Sequence, residues 1–229
     1  MDFTICMTSF NRKSQILNTL ESFKKYDPSL LKVVLVDDCS TDDNLLTDWQ
    51  IKRYPFKITY IPIKSNDKWW VNPCFAFDIA TRFVDTDVMI LQNSECYHFN
   101  DILSIVHQKL TPKNYIAFSC YSLPFGADVE NPDFNSGMWY CHSHHNPRPL
   151  NFCSAIYTND FKSFGGFDLD FAKGVWYDDD MLLKSMKNAS INISICDDGI
   201  SLHQWHESNW EMSNFEELRI RNLNILNSK

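Results

Sequence analysis

The chain has 229 residues, a formal net charge of -8 and a pI near 5.3. That length suits one α/β domain, and 44% hydrophobic with 22% charged residues is ordinary globular composition. No Lys/Arg run supplies the basic face that a nucleic-acid binder needs, and no apolar run approaches the roughly 18 residues of a transmembrane segment. The eight cysteines form no CxxC pair and several lie in apolar stretches. Without a secretory signal pattern they read as reduced thiols of a cytoplasmic protein.

In chain order, Phe3–Met7 reads as a short buried strand, and Ser14–Tyr26 carries apolar residues at helical spacing. Lys32–Val36 is β-branched and apolar, as a strand covered on both faces is, and stops at Asp37-Asp38. Asp42–Tyr54 is expected as one helix capped by Thr41 or Asp42. A strand at Ile58–Ile61, a helix at Pro73–Phe83 and a strand at Val88–Leu91 follow. Asn100 is expected to cap a helix over Asp101–Leu110, before a strand at Tyr115–Ser119. This alternation predicts a mostly parallel sheet with helices on both sides.

The second half is less regular. Tyr121–Leu150 is rich in Pro, Asn, His and aromatics without a period, and is expected as a functional loop, with His142–His145 solvated. Strands are expected at Phe152–Tyr157 and Ile191–Cys196, and helices at Asp178–Lys187 and Phe215–Leu226.

Open parallel sheets bind ligands beyond the carboxyl ends of their strands. That rule selects Thr8–Arg12, Asp37–Asp42, Gln92–Glu95 and the region around Asp178. The segments Thr4-Ile5-Cys6-Met7-Thr8-Ser9-Phe10-Asn11-Arg12 and Val36-Asp37-Asp38-Cys39-Ser40-Thr41-Asp42 resemble the nucleotide-binding half of family 2 glycosyltransferases. Phe164-Gly165-Gly166-Phe167-Asp168, followed by Trp176-Tyr177-Asp178-Asp179-Asp180-Met181, is similar to that family's Gly-Gly-Phe-Asp turn and acidic helix start. The departures are Tyr177 where Glu is common, Lys184 where Arg is common, and Gln92-Asn93-Ser94-Glu95 where Asp-x-Asp is usual.

The resemblance implies an α/β GT-A fold: a single Rossmann-like domain with a mostly parallel central sheet flanked by helices and a small antiparallel extension. Residues 1–120 would form the nucleotide-binding half and residues 121–229 the acceptor-binding half. It implies transfer of a sugar from a nucleotide diphosphate sugar, UDP by expectation, to a hydroxyl of a glycan, glycolipid or glycoprotein, with inversion. Asp178 falls on the catalytic-base position, where a helix N-terminus favours the anion. Thr8, Phe10, Arg12, Asp38, Asn72 and Asn93 fall on the nucleotide side. A carboxylate such as Asp38 is acceptor-only and suits an imide N–H such as that of uracil. Trp69, Gly166, Trp176 and Asp179 fall around the donor and acceptor sugars.

Glu95 matches the metal-binding carboxylate. His206, ahead of His203, is expected to complete the shell around Mn²⁺ or Mg²⁺. Two rival readings stand beside this one. A catalytically silent nucleotide-sugar or glycan-binding module is suggested by the missing Asp-x-Asp and opposed by Asp178. A nucleotide-sugar pyrophosphorylase would need a glycine-rich segment after the first strand, where Thr8-Ser9-Phe10-Asn11-Arg12 has no glycine.

Overall fold

The computed structural model describes residues 1–207 and 212–229. The first half alternates strand and helix as its periodicity dictates: β1 (Phe3–Ser9), α1 (Lys13–Ser22), β2 (Leu31–Asp37), α2 (Asp48–Lys52), β3 (Lys57–Pro62), α3 (Cys74–Thr81) and β4 (Val88–Asn93). Then come β5 (Cys96–His98), α4 (Ile102–Lys109), β6 (Asn114–Ser122), β7 (Met138–Cys141), β8 (Cys153–Tyr157), α5 (Thr158–Ser163), α6 (Asp178–Asn188), β9 (Asn192–His203) and α7 (Phe215–Ser228).

The strands form one sheet in the order β3-β2-β1-β4-β8-β6-β9-β5, with β7 on β6. β3, β2, β1 and β4 are mutually parallel, and β6 pairs parallel with β9. β8 runs antiparallel between β4 and β6, which returns β6 and β9 to the direction of β4. β5 and β7 are antiparallel additions. The carboxyl ends of β1, β2, β4 and β9 therefore share one edge.

Both faces are covered, which explains why β1 and β2 read as unbroken apolar runs. One face packs Leu20 of α1, Phe23 just after α1, and Ile102 of α4 on Ile5, Leu35 and Ile90. The other packs Phe77 of α3 and Met181 and Leu182 of α6 on Cys6, Val36 and Met89.

Four expectations change. The single helix over Asp42–Tyr54 is a 3₁₀ turn at Asp42–Asn44 and a short α2. Thr47 starts α2 afresh through a reciprocal capping box with Gln50, so a local side-chain bond overrides the helical period. Asn100 is not the cap of α4. Asp101 accepts from Ser104 N, and Asn100 accepts from Ile200 N on β9 instead. β9 does not stop at Cys196: Asp197, Asp198 and Gly199 bulge out, pairing resumes at Ile200, and the strand carries on to His203. The Tyr121–Leu150 segment is a loop as expected except for one added strand. β7 pairs with β6, and Trp139 stacks on Phe134, with rings of His142 and His145 within 4.5 and 5.9 Å.

Candidate active site

The loops after β1 and β2 are stitched together. Asp38 N donates to Ser9 O (2.7 Å), Asn11 N to Ser40 Oγ (2.8 Å) and Thr41 N to Asn11 Oδ1 (2.9 Å). Asn11 and Cys39 take left-handed φ of 54° and 73°, a cost that Asn tolerates best. Asp37 spends its carboxylate on this loop, accepting from Ser40 N and Ser9 Oγ.

Asp38 turns the other way. It accepts from Trp70 Nε1 (2.7 Å) and pairs with Lys68 (2.9 Å), whose ammonium also lies 5.3 Å from the Phe10 ring centre. Burial pushes the Asp38 carboxyl up, against the opposing pull of Lys68 and Trp70. Thr8 is buried between Val36 and Asn93 on the neighbouring strands, while Phe10 is exposed. Thr8, Phe10 and Asp38 thus meet at one strand edge, with Lys68 as a member that no sequence motif singled out. Its signal was adjacency: Lys68-Trp69-Trp70 follows β3, and Trp69 and Trp70 bracket Phe75 at 4.7 and 4.4 Å.

Glu95 lies in the turn between β4 and β5. β9 pairs His203 with Cys96, so the imidazole comes beside Glu95 from across the sheet. Glu95 Oε1 is 3.3 Å from His203 Nε2 and 3.3 Å from His206 Nε2, and Ser94 Oγ donates to Oε2. Burial pushes the Glu95 carboxyl up, but hydrogen bonds from the two imidazoles overcome it and hold it well below the usual range.

One oxygen and two nitrogen ligand atoms within 4.8 Å of one another form a donor set open to further ligands. His206 Nδ1 lies 2.9 Å from the Glu207 carbonyl: an Nδ1 that accepts from Arg12 leaves the proton on Nε2 facing Glu95, whereas an Nδ1–H turned to the carbonyl frees Nε2 to ligate. Arg12 Nη2 reaches that same Nδ1 (2.8 Å) and the Glu207 carbonyl (3.0 Å). His203 Nδ1 is buried with no hydrogen-bond partner among the described residues. The donor set fits a divalent cation. Asn93 ends β4 beside this group, its N–H bonded to Phe152 O.

Asp178 opens α6, and because α6 runs back under the sheet its N-terminus lies at the same carboxyl edge. Asn72, 1% exposed, donates to Asp178 Oδ1 (2.9 Å) and accepts from Cys74 N (2.9 Å). Burial raises the Asp178 carboxyl, with Asn72 opposing and Asp180 reinforcing the shift. Burial thus outweighs the backbone N–H groups of the helix N-terminus, which favour the anion. Asp179 is pushed well up by burial and by its two acidic neighbours.

The turn before Asp178 is strained, with Trp176 and Tyr177 at φ 61° and 64°. α7 clamps it. Fully buried Asn222 donates to Phe171 O (3.0 Å) and Trp176 O (3.1 Å), and Arg219 donates to the Tyr177 hydroxyl (2.9 Å). Gly174 passes so close that a Cβ there would lie 2.1 Å from Asn222 Oδ1. Gly166 takes φ +74° against the Phe161 ring, where backbone freedom is what the turn demands. Exposed Trp69 stands beside Trp70, with Lys173 Nζ 5.8 Å from its ring centre.

The fold recurs among solved structures. A 1–349 fragment of TarS from S. aureus, in complex with UDP-GlcNAc, superposes with a TM-score of 0.67 at 17% identity over 99% of this chain and 67% of that one. The mannosyltransferase PcManGT from Pyrobaculum calidifontis, in complex with GDP-Man and Mn²⁺, gives 0.61 at 13% identity over 96% of this chain and 60% of the other. GalNAc-T7 with UDP, GalNAc and Mn²⁺ gives 0.72 at 13% identity over 98% and 48%. The chain thus spans 67%, 60% and 48% of these solved chains, and 40% of a longer TarS structure. A sequence search of curated proteins finds no match. Glycosyl transferase family 2 matches residues 4–140, the stretch from the first strand through the stitched β1 and β2 loops, Glu95 and β7. With its mostly parallel sheet and antiparallel part, this GT-A chain belongs to glycosyl transferase family 2.

Proposed function

We propose that the chain is an inverting glycosyltransferase that moves a hexose from a nucleotide diphosphate sugar, UDP-linked by preference, onto an acceptor hydroxyl of a glycan, glycolipid or glycoprotein. The observation that carries it is the convergence, at one sheet edge, of the Asp38–Lys68–Phe10 group, the Glu95–His203–His206 group and Asp178.

Phe10 and Asp38 offer a ring face and an acceptor to the base, and Thr8, Asn72 and Asn93 border the slot. Glu95, His203 and His206 would hold Mn²⁺ or Mg²⁺, which when bound neutralises charge on the leaving diphosphate. Arg12 has donors within reach of that group and contributes positive charge to the diphosphate. Asp178 takes the proton of the acceptor hydroxyl. The acceptor oxygen bonds to the anomeric carbon as its bond to the diphosphate breaks on the opposite face, so configuration inverts. Trp69, Gly166, Trp176 and Asp179 border the sugars. Residues 1–120 act as the nucleotide half of a single domain and residues 121–229 as the acceptor half. All eight cysteines are free and seven are buried, which suits a reducing cytoplasmic setting. Among the described residues no helix is long and apolar enough to cross a membrane.

The test is a thermal-shift screen of UDP-, GDP- and dTDP-sugars with and without Mn²⁺, followed by NMR of the product formed with the donor that binds. A Mn²⁺-dependent rise in melting temperature with a UDP-sugar and an inverted anomeric centre are expected. Retained configuration, or a donor that binds but is never hydrolysed or transferred, defeats the reading.

A further inference from the structure

The dipeptide between the two histidines borders a second cleft. Gln204 and Trp205, with the outer face of α1 (Ser14, Gln15, Asn18) and residues 123–129 after β6, enclose a cavity of about 450 Å³. Its floor is a closed amide network. Gln15 Nε2 donates to Trp205 O (3.0 Å), Asn18 Nδ2 to Gln204 Oε1 (3.1 Å), and Gln204 Nε2 to Gln15 O (3.1 Å) and to Glu95 O (3.0 Å). Its wall is a pair of rings, Phe125 at 78% and Trp205 at 42% exposure, set edge to face with centroids 4.7 Å apart. Two large apolar rings held in water over a polar floor are costly to the folded chain on their own.

We propose that this cleft binds a neutral oligosaccharide stretch of the acceptor, at a distance from the reacting hydroxyl; the word acceptor rests on the transferase reading above. Three observations select that chemistry. Among the described residues the lining contains no cation, and its one carboxylate there, Asp128, accepts from Glu130 N and Asn131 Nδ2 of its own loop. A phosphate or nucleotide therefore finds no counter-charge. Exposed rings beside Ser14 and Asn18 match the alternation of C–H faces and hydroxyls on a sugar. The cavity volume falls in the range of small-molecule sites and exceeds what one water or ion needs.

Location adds a further point. α1 packs on one face of the sheet and α6, with Asp178, on the other. The cleft and the proposed base thus lie on opposite sides of the Glu95 group. A single sugar could not occupy both; an extended chain can.

The probes are maltotetraose, cellotetraose, mannotetraose and chitotetraose, each observed by saturation-transfer NMR against the full chain. At least one is expected to receive saturation. Phe125→Ala removes a ring and Ser14→Trp fills the mouth from an exposed helix position, and each is expected to weaken that binding about tenfold. Neither touches the histidines. No transfer to any of these sugars, or transfer undiminished in both variants, overturns the proposal. The UDP-, GDP- and dTDP-sugar thermal shifts of the screen above, run on the same samples, keep the two readings apart. If nucleotide binding is absent while the sugar signal responds to Phe125 and Ser14, the transferase reading fails and the saccharide cleft stands.

Discussion

Asn72 Nδ2 donates to Asp178 Oδ1 across 2.9 Å, joining the segment after β3 to the start of α6. This bond opposes the upward push that burial exerts on Asp178. A base must be deprotonated to act, so the acid limb of the pH–rate profile follows this carboxyl. Asn72→Ala should move that limb to higher pH, because the anion loses a donor. Asp178→Asn should cut turnover by about 10²–10⁴ while UDP-sugar binding persists. Steady-state rates across pH with the identified donor check both; an unmoved limb in Asn72→Ala removes Asp178 from the role of base.

The clamp from α7 makes a separate prediction. Asn222→Ala leaves the carbonyls of Phe171 and Trp176 without their donor in a buried site and frees the strained turn before Asp178. Misplacement of a reacting group by about 1 Å can cost about 10²-fold in rate. We expect kcat to fall by about 10–100-fold, with KM for the nucleotide sugar within about twofold, measured well below the melting temperature. A variant that loses melting temperature but keeps its kcat would confine Asn222 to stability.

Glu95 joins two imidazoles through one oxygen. Glu95→Ala removes the carboxylate of the donor set, and His206→Ala removes a nitrogen together with the partner of Arg12. Each should weaken Mn²⁺ binding at least about tenfold by electron paramagnetic resonance titration, and should abolish the Mn²⁺-dependent part of the UDP thermal shift. Equal Mn²⁺ affinity in the parent and Glu95→Ala would move the cation elsewhere.

His98 is fully buried, with Nδ1 2.8 Å from the Tyr26 hydroxyl and Nε2 2.6 Å from Gln92 Oε1. A neutral ring satisfies both: Tyr26 donates to Nδ1, and Nε2–H donates to Gln92. Burial lowers its pKa from 6.5 to about 3. A depressed imidazole means that the unfolded chain takes up a proton first. The stability His98 contributes is therefore intact above pH 6.5 and drains away as pH falls toward about 3. Between pH about 7 and about 4 the parent should lose about 3 kcal/mol more than His98→Gln in urea unfolding. Parallel losses in the two proteins would assign the acid sensitivity to other groups.

The strand–helix alternation was legible because each apolar run has a distinct period and ends in polar residues at the functional edge. Asp37-Asp38, Glu95 and Asp178 could be located from the rule that ligands sit beyond strand ends. What stayed hidden was long-range. Asp197-Asp198-Gly199 looks like a turn, so nothing local announces that β9 resumes at Ile200; that His203 and His206 reach Glu95 is legible only through the family resemblance. Thr47 and Gln50 restart a helix that the apolar period treats as continuous. Lys68 belongs to the Asp38 group only because the segment after β3 folds back across β2. α7 reads as a generic amphipathic helix, since its function lies in Asn222 and Arg219, whose partners sit about 40–50 positions upstream.

The contact between Gly174 and Asn222 carries an evolutionary consequence. With a Cβ at position 174 falling 2.1 Å from the Asn222 amide oxygen, neither site is free to drift alone. Lineages descending from this protein that acquire Ala or Ser at 174 will have to shed the asparagine at 222, and with it the brace on the turn. The two positions should therefore be inherited as a pair, and chimaeras that exchange the C-terminal helix between distant cousins should work only when residue 174 travels with it.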